Sequence, residues 1–432
     1  MACGLLLVVM TALPMLAGAE SLLQLYDAAL ETNPTLRGRE FGVQQAKAQQ
    51  EIARSRLLPQ LSVSGNHDWN KYTEQGSASE RYTGARTYVS ARQAVLDLSS
   101  YYRLKGAESA VEQSELERTA AELVLAVDVV DRYLAVLQAR DELTYLASEK
   151  AAIESQMKRL QFMSERKLAK LTDLYEVEAY YQGLLTREIE ARNADAVARE
   201  RLRETTGIAV ADVAPLALGD LPAVPGDADQ WARDALGRNP VLLAAGKEAE
   251  SARQLVDSGK AEHLPRISLT ASQVYADQGY DNRAVPEYDV GTVGIQFSLP
   301  LYEGGRVEAT VREATARYRI SLEEYERTRR QIELSVRSAY LSAVASYARI
   351  GSTGAETRAL MKVLEAQQKS YEYRITTMLD LLIAQRRLTR ARSDESKARY
   401  DFIRDLTVLR AHVGELVRAN IEEIDSWMAG ER

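Results

Sequence analysis

Two hydrophobic periods share this chain. Over long stretches the apolar residues return at steps of three and four, the spacing of one face of an α-helix; over short stretches they return at every second position, the spacing of a strand with one apolar and one polar side. Leu61, Val63 and Gly65 alternate with Ser62, Ser64 and Asn66, and Val293, Ile295, Phe297 and Leu299 alternate with Thr292, Gly294, Gln296 and Ser298. The pattern predicts helices over 21–56 and 229–262, each followed by a pair of strands and then by very long helices. From Ser99 to Met163 there is no proline and Gly106 is the only glycine. Such a run, at 1.5 Å rise per residue, spans ~100 Å, far beyond a globular helix. A second helix, over 172–206, runs back, with Thr172 placed to cap it and Asp173 favourable in its first turn.

The long helix carries two apolar seams. One follows Leu116, Ala120, Leu123, Val127, Val130, Leu134 and Leu137; the other follows Ala126, Val129, Tyr133, Val136 and Leu143. A two-stranded coil needs one seam, whereas a helix with neighbours on both sides, as in a closed ring, needs two. A solid bundle, with one broad apolar face, reads the same way.

These elements are written twice. Asn33-Pro34 recurs as Asn239-Pro240, and Leu58-Pro59-Gln60-Leu61-Ser62 recurs as Leu264-Pro265-Arg266-Ile267-Ser268, both 206 residues further on. One residue later in register, Tyr133-Leu134 returns as Tyr340-Leu341, Thr172-Asp173-Leu174 as Leu379-Asp380-Leu381, and Gly207 as Gly414. Ordered landmarks at a nearly constant offset mark a tandem duplication. The domain reading is therefore a first repeat over 20–207, a linker over 208–230 containing Pro215, Pro222 and Pro225, a second repeat over 231–414, and a C-terminal tail over 415–432.

Composition narrows the setting. With 46% hydrophobic and 27% charged residues the chain is neither disordered nor a bundle of membrane-spanning helices. The net charge of −7, with acids and bases interleaved, gives no basic face for nucleic acid. Residues 1–19, uncharged and apolar from Leu5 to Leu16, read as an export signal ending in small residues. Cys3, the only cysteine, lies inside that signal, so the mature chain is expected to hold no disulfide or thiolate-bound metal. His67, His263 and His412 have no metal-ligand spacing. No phosphate-binding glycine loop or activated nucleophile is present, so neither an enzyme nor a cofactor is expected. No later segment reaches the ~18 consecutive apolar residues of a transmembrane helix, so any membrane-crossing part must be β-barrel.

Four strands cannot close a barrel, and an open edge in lipid leaves backbone groups unpaired at several kcal/mol each. Other chains must complete it. Two would give an eight-stranded barrel filled by its own side chains; three would leave a lumen. Aromatics cluster near the polar loops 71–81 and 276–287: Trp69, Tyr72, Tyr82 and Tyr88, with Tyr275, Tyr280 and Tyr288. These are expected to form the barrel's interfacial girdle, although tyrosine is frequent throughout, at 22 residues.

The order of signal, Asn-Pro helix, Leu-Pro strand, the run Leu299-Pro300-Leu301-Tyr302-Glu303-Gly304-Gly305 and a long helical hairpin, all repeated, resembles the TolC family of outer-membrane channels. The resemblance implies an α+β membrane protein: a homotrimer whose protomers each give four strands to a twelve-stranded outer-membrane barrel, continuous with a helical barrel in the periplasm. It implies a periplasmic adaptor and an inner-membrane ABC exporter or proton-driven RND pump as partners, and outer-membrane lipid as surroundings. The gate would lie where the hairpins turn, over 163–173 and 371–380. Asp380 matches an acidic position lining the constriction; Thr172, Asp173 and Tyr371 match positions whose hydrogen bonds keep the tips closed. Plain stabilisation of a helix N-terminus is the other reading of Asp173 and Asp380. Where the family commonly has Val-Gly in each tip, expected to dock the adaptor, this chain has Arg166-Lys167 and Tyr373-Arg374; Ile383 replaces a second acid and Thr376 a basic partner. The missing lipidated N-terminal cysteine leans the reading toward type I protein secretion. Small-molecule efflux is the alternative, and an exported scaffold of long helices outside the membrane is a third.

Overall fold

The computed structural model describes residues 20–73, 75–76, 78–216, 221–277, 286–416 and 418–428. The predicted signal over 1–19 and Tyr280 of the expected girdle lie outside the described residues. Along the chain run α1 (Leu22–Thr32), α2 (Pro34–Ser55), β1 (Gln60–Tyr72), β2 (Glu80–Leu96), α3 (Leu98–Glu165), α4 (Leu171–Thr206), α5 (Ala228–Arg238), α6 (Pro240–Ala261), β3 (Arg266–Ala276), β4 (Tyr288–Ser298), α7 (Arg306–Glu372), α8 (Met378–Val413) and α9 (Arg418–Met428). The helix predicted over 21–56 is two helices, and so is its copy, because each breaks at Asn-Pro. Proline pushes the asparagine before it out of the helical region, and the asparagine then caps the helix that follows. Asn33 Oδ1 accepts from the amides of Thr35 and Leu36 at 2.9 and 3.3 Å; Asn239 Oδ1 accepts from Val241 and Leu242 at 2.9 and 3.1 Å.

Two compact units draw on both repeats. One gathers the chain up to Arg37, Glu122–Ala235 and everything from Leu334 on; the other gathers Gly38–Ala121 and Leu236–Glu333. The second holds a four-stranded antiparallel sheet in the order β1-β2-β3-β4, whose outer strands, β1 and β4, are not paired with each other. Its strands run 11 to 17 residues, enough to cross the hydrocarbon of a bilayer at a tilt. Nearby, Gly106 lets α3 approach α6 closely: an added Cβ would meet Ser251 O at 3.4 Å, and Ser251 Oγ donates to Gly106 O. Glu262, almost fully buried, is held between Arg103 and Arg306 at 2.9 and 2.7 Å, so two guanidinium groups replace the water a buried carboxylate loses.

The register sorts the sheet's side chains. Leu61 lies opposite Ala91, Val63 opposite Val89, Trp69 opposite Thr83, Ala271 opposite Val293 and Leu269 opposite Ile295. All of these odd-numbered positions share one face, and most of its large side chains are open to solvent: Leu61 is 75% exposed, Val293 78% and Ile295 76%. The even-numbered face carries Ser62, Ser64, Asn66, Asp68, Arg86, Ser90, Arg92, Ser268, Thr270, Ser272, Thr292 and Gln296. This corrects the expected girdle. Trp69 and Tyr275 stand on the apolar face, but Tyr72, Tyr82, Tyr88 and Tyr288 stand on the polar one, because antiparallel pairing keeps even positions opposite even positions.

In the other unit, α1 packs on α9 and on α4, through Leu22, Leu25 and Ala29, all fully buried, and through Ile421 and Ile424. The amide of Leu22 donates to Asp425 Oδ1 at 2.8 Å, and Arg418 pairs with Asp27. The predicted tail thus contains a packed helix. The linker is pinned as well: the hydroxyl of fully buried Tyr133 donates to Ala214 O at 3.0 Å, Arg140 reaches Asp212 at 3.1 Å, and Tyr340 donates to Gly226 O at 3.0 Å. Burial raises the Tyr133 pKa, so the phenol stays a neutral donor. Among the described residues no helix is long and apolar enough to cross a membrane.

The two faces of β4 make opposite demands on an added charge. Arginine in place of a lipid-facing residue near the bilayer midplane costs about 2–4 kcal/mol, whereas a lumen-facing position tolerates it. Ile295→Arg is therefore expected to lower the thermal stability of the membrane-inserted protein sharply and Gln296→Arg to change it little, as read by the temperature of heat-modifiable gel migration.

Candidate functional site: the two hairpin tips

Both tips lie in the unit that contains α4 and α8, and both are built by the same backbone device. At the end of α3, the amide of Leu168 donates to Met163 O at 2.8 Å and that of Lys167 to Ser164 O at 2.9 Å. At the end of α7, the amide of Ile375 donates to Ser370 O and that of Arg374 to Tyr371 O, both at 2.9 Å. This double closure is the Schellman motif, and its turning residue must enter the left-handed region. Lys167 does so at φ 60° and Arg374 at φ 59°, 207 positions apart; they are the only non-glycine residues with positive φ among those described. At the far ends of α4 and α8 the same conformation falls on Gly207 and Gly414.

The returning helices start differently. Thr172 was expected to cap α4, but the helix begins at Leu171 with Lys170 in the capping position and no side-chain capping bond. A lysine has no acceptor to offer the first-turn amides, so Asp173 supplies the only acidic charge there. Thr172 is exposed at the second helical position. In α8 the cap is complete: Thr377 Oγ1 accepts from the Asp380 amide at 3.2 Å, while Asp380 Oδ2 accepts from the Thr377 amide at 3.0 Å and its hydroxyl at 2.6 Å. These bonds favour the charged carboxylate and hold the Asp380 pKa below its usual value. Thr377 was not singled out in the sequence, although Thr-x-x-Asp ahead of an apolar run is a recognisable N-terminal signature.

One expected pair does meet. Tyr371, at the end of α7, stands close enough to Asp173 in the first turn of α4 to feel its charge. Partial burial raises the Tyr371 pKa and the Asp173 charge raises it further, so the phenol remains protonated as a donor. Around this contact Leu160, Leu174, Val177, Met378 and Leu382 form a buried cluster shared by the two hairpins. Arg166 stacks on Phe162, its guanidinium carbon 3.3 Å from the ring centroid, and Tyr373 and Arg374 point out exposed. Higher in the first hairpin, Glu149 sits fully buried; its Oε1 accepts from the Tyr180 hydroxyl and lies 3.7 Å from Arg187, while its Oε2 has no partner. Its spacing from Leu146 and Ile153 places it in the apolar seam, the one signal that could have flagged it.

An unclosed sheet with exposed apolar side chains on one face and a pair of long helical hairpins, in one chain, define an outer-membrane channel. The profile of the family described as outer membrane efflux protein matches residues 25–208 and 231–415, and the chain belongs to that family, to which TolC belongs. It is 28% identical to outer membrane protein TolC of Vibrio cholerae, over 95% of this chain and 94% of that one. It is 29% identical to alkaline protease secretion protein AprF of Pseudomonas aeruginosa, over 96% of this chain and 89% of that one. The CmeC outer membrane channel of Campylobacter jejuni shares the fold, with a TM-score of 0.81 at 16% identity over 94% and 89% of the two chains. The family is one of channels, not enzymes, and its members reside in the outer membrane.

Removing the cap should free the carboxylate it holds. A depressed Asp380 pKa stabilises the tip at pH above the unfolded carboxylate value, and that contribution disappears as pH falls through the lower, folded value. Thr377→Ala is expected to raise the Asp380 pKa, measurable by NMR titration of its side-chain carbon, and to speed hydrogen exchange of the first-turn amides of α8.

Proposed function

We propose that three copies of this chain close their sheets into one twelve-stranded barrel and serve as the outer component of a three-part exporter. The observation that carries this reading is the sheet's two outer strands, not paired with each other, together with the exposed apolar side chains Leu61, Val63, Val293, Ile295 and Phe297 on one face. Only closure satisfies such edges in lipid, and twelve strands leave a lumen where eight do not. Cargo would enter from the periplasm through the hairpin end, where a periplasmic adaptor and an inner-membrane transporter dock on Arg166, Lys167, Tyr373 and Arg374. The transporter is read as an ABC exporter of the type I secretion class. The match to a protease secretion protein along nearly the whole chain supports this. A proton-driven pump for small molecules is the second reading, favoured by the family's own description.

Thr172, Asp173, Tyr371 and Asp380 are proposed as the gate. Tyr371 beside Asp173 would hold the hairpins together in the closed state, and three copies of Asp380, kept ionised by their caps, would ring the constriction with negative charge.

Loss of the gene in its native host is expected to remove particular polypeptides from the culture supernatant and leave drug susceptibility unchanged. Broad sensitisation to small molecules with an intact set of secreted proteins would assign the channel to efflux instead. In planar bilayers, Tyr371→Phe should lengthen open events and Asp380→Ala should shift the reversal potential in a salt gradient toward weaker cation preference. Unchanged gating and selectivity would remove those residues from the gate.

A further inference from the structure

Left-handed backbone is costly for any residue with a side chain, and glycine is nearly free of that cost. This chain uses glycine for that conformation where α4 and α8 end, at Gly207 and Gly414. At the tips it uses Lys167 and Arg374 instead, at matching positions of the two repeats. Strain kept twice, in corresponding places, on the same charge type, points to a use for the charge.

Ion pairs neutralise some hairpin cations, Lys150 by Glu188 at 2.5 Å, Lys158 by Glu154 at 2.6 Å and Lys369 by Glu365 at 2.8 Å, and leave others, such as Arg159, Lys362 and Arg387, without one among the described residues. The cations of the turns belong to the second group. Arg166, Lys167, Lys170 and Arg374 are exposed and form no ion pair among the described residues, with Glu165 and Glu372 the exposed acids at the same helix ends. Immediately after each strained cation stands an exposed apolar side chain, Leu168 at 58% and Ile375 at 75%. In a Schellman turn that residue ordinarily folds back on its own helix. Each tip therefore offers the same couplet, a free cation followed by a bare aliphatic group.

We propose that the tips bind a periplasmic protein whose contacting segment is acidic, with a carboxylate for each strained cation and an apolar seat for Leu168 and Ile375. The inference rests on the channel reading and deepens it by stating the chemistry of the docking partner. Association is then steered by charge and weakened by salt, since exposed pairs are screened within about 8 Å at physiological ionic strength.

Glycine at both positions separates the roles, because it relieves the strain and removes the charge without threatening the fold. The double variant Lys167→Gly with Arg374→Gly is expected to melt at a higher temperature than the parent. The probe is a synthetic helical hairpin peptide with glutamate and leucine in its turn, and a glutamine version serves as control. The purified full-length parent should bind the glutamate peptide about tenfold more tightly than the glutamine one, and the preference should vanish near 1 M salt, where screening is complete within about 3 Å. The glycine variant should lose the preference, and cells carrying it should export less cargo. Equal binding of the two peptides by the parent, or undiminished export by the glycine variant, overturns the proposal. Absence of conductance by the parent in planar bilayers would sink the channel reading beneath it instead.

Discussion

The backbone hydrogen bonds that β1 and β4 leave unmade govern the rest of this molecule. In water an edge strand is satisfied by solvent; in hydrocarbon nothing replaces the missing partners, at several kcal/mol per group. The side chains of this sheet commit it to hydrocarbon, because Leu61, Val63, Val293, Ile295 and Phe297 share a face and stand exposed among the described residues. A face that seeks lipid and edges that cannot tolerate it are reconciled only when the sheet is closed by its own copies. Duplication suits that outcome, since each repeat contributes two strands and two long helices, the same unit that an assembled ring would repeat around its axis.

Much of this was legible in the sequence for physical reasons that can be named. Asn-Pro stood out twice because one residue caps a helix and the next cannot continue the helix before it; both asparagines accept from two amides at the start of the following helix. The alternation of Leu61 to Asn66 and of Thr292 to Leu299 marked strands because a strand with one lipid face must alternate. Faces were harder to read than strands. Tyr72, Tyr82, Tyr88 and Tyr288 looked like an interfacial ring by proximity to polar loops, yet parity in the register puts them among the serines and arginines. That parity depends on which residues pair, and the small, mixed side chains of β2 do not announce its face.

At the tips the sequence located the residues but not their states. Thr172 missed its capping role by the ordinary uncertainty of a helix start, while Thr377 performs it fully at the other tip. Nothing in Arg166-Lys167 or Tyr373-Arg374 marks the left-handed turn that both sites adopt, because the turn is imposed by the helices on either side of it. The contact of Tyr371 with Asp173 needed two helices distant in sequence to be brought together, and the buried Glu149 needed a partner helix to bury it. Each of these depends on tertiary packing.

Because the only cysteine is Cys3, inside the predicted signal, introduced cysteines report closure of the barrel without interference. The direct measurement is disulfide trapping between Val63→Cys in β1 and single cysteines placed along residues 289–297 of β4, in membranes, followed by denaturing electrophoresis. Closure by three chains predicts a covalent ladder that ends at the trimer, for a narrow set of β4 positions. Bridges formed only within single chains, or a ladder that stops at the dimer, would contradict it.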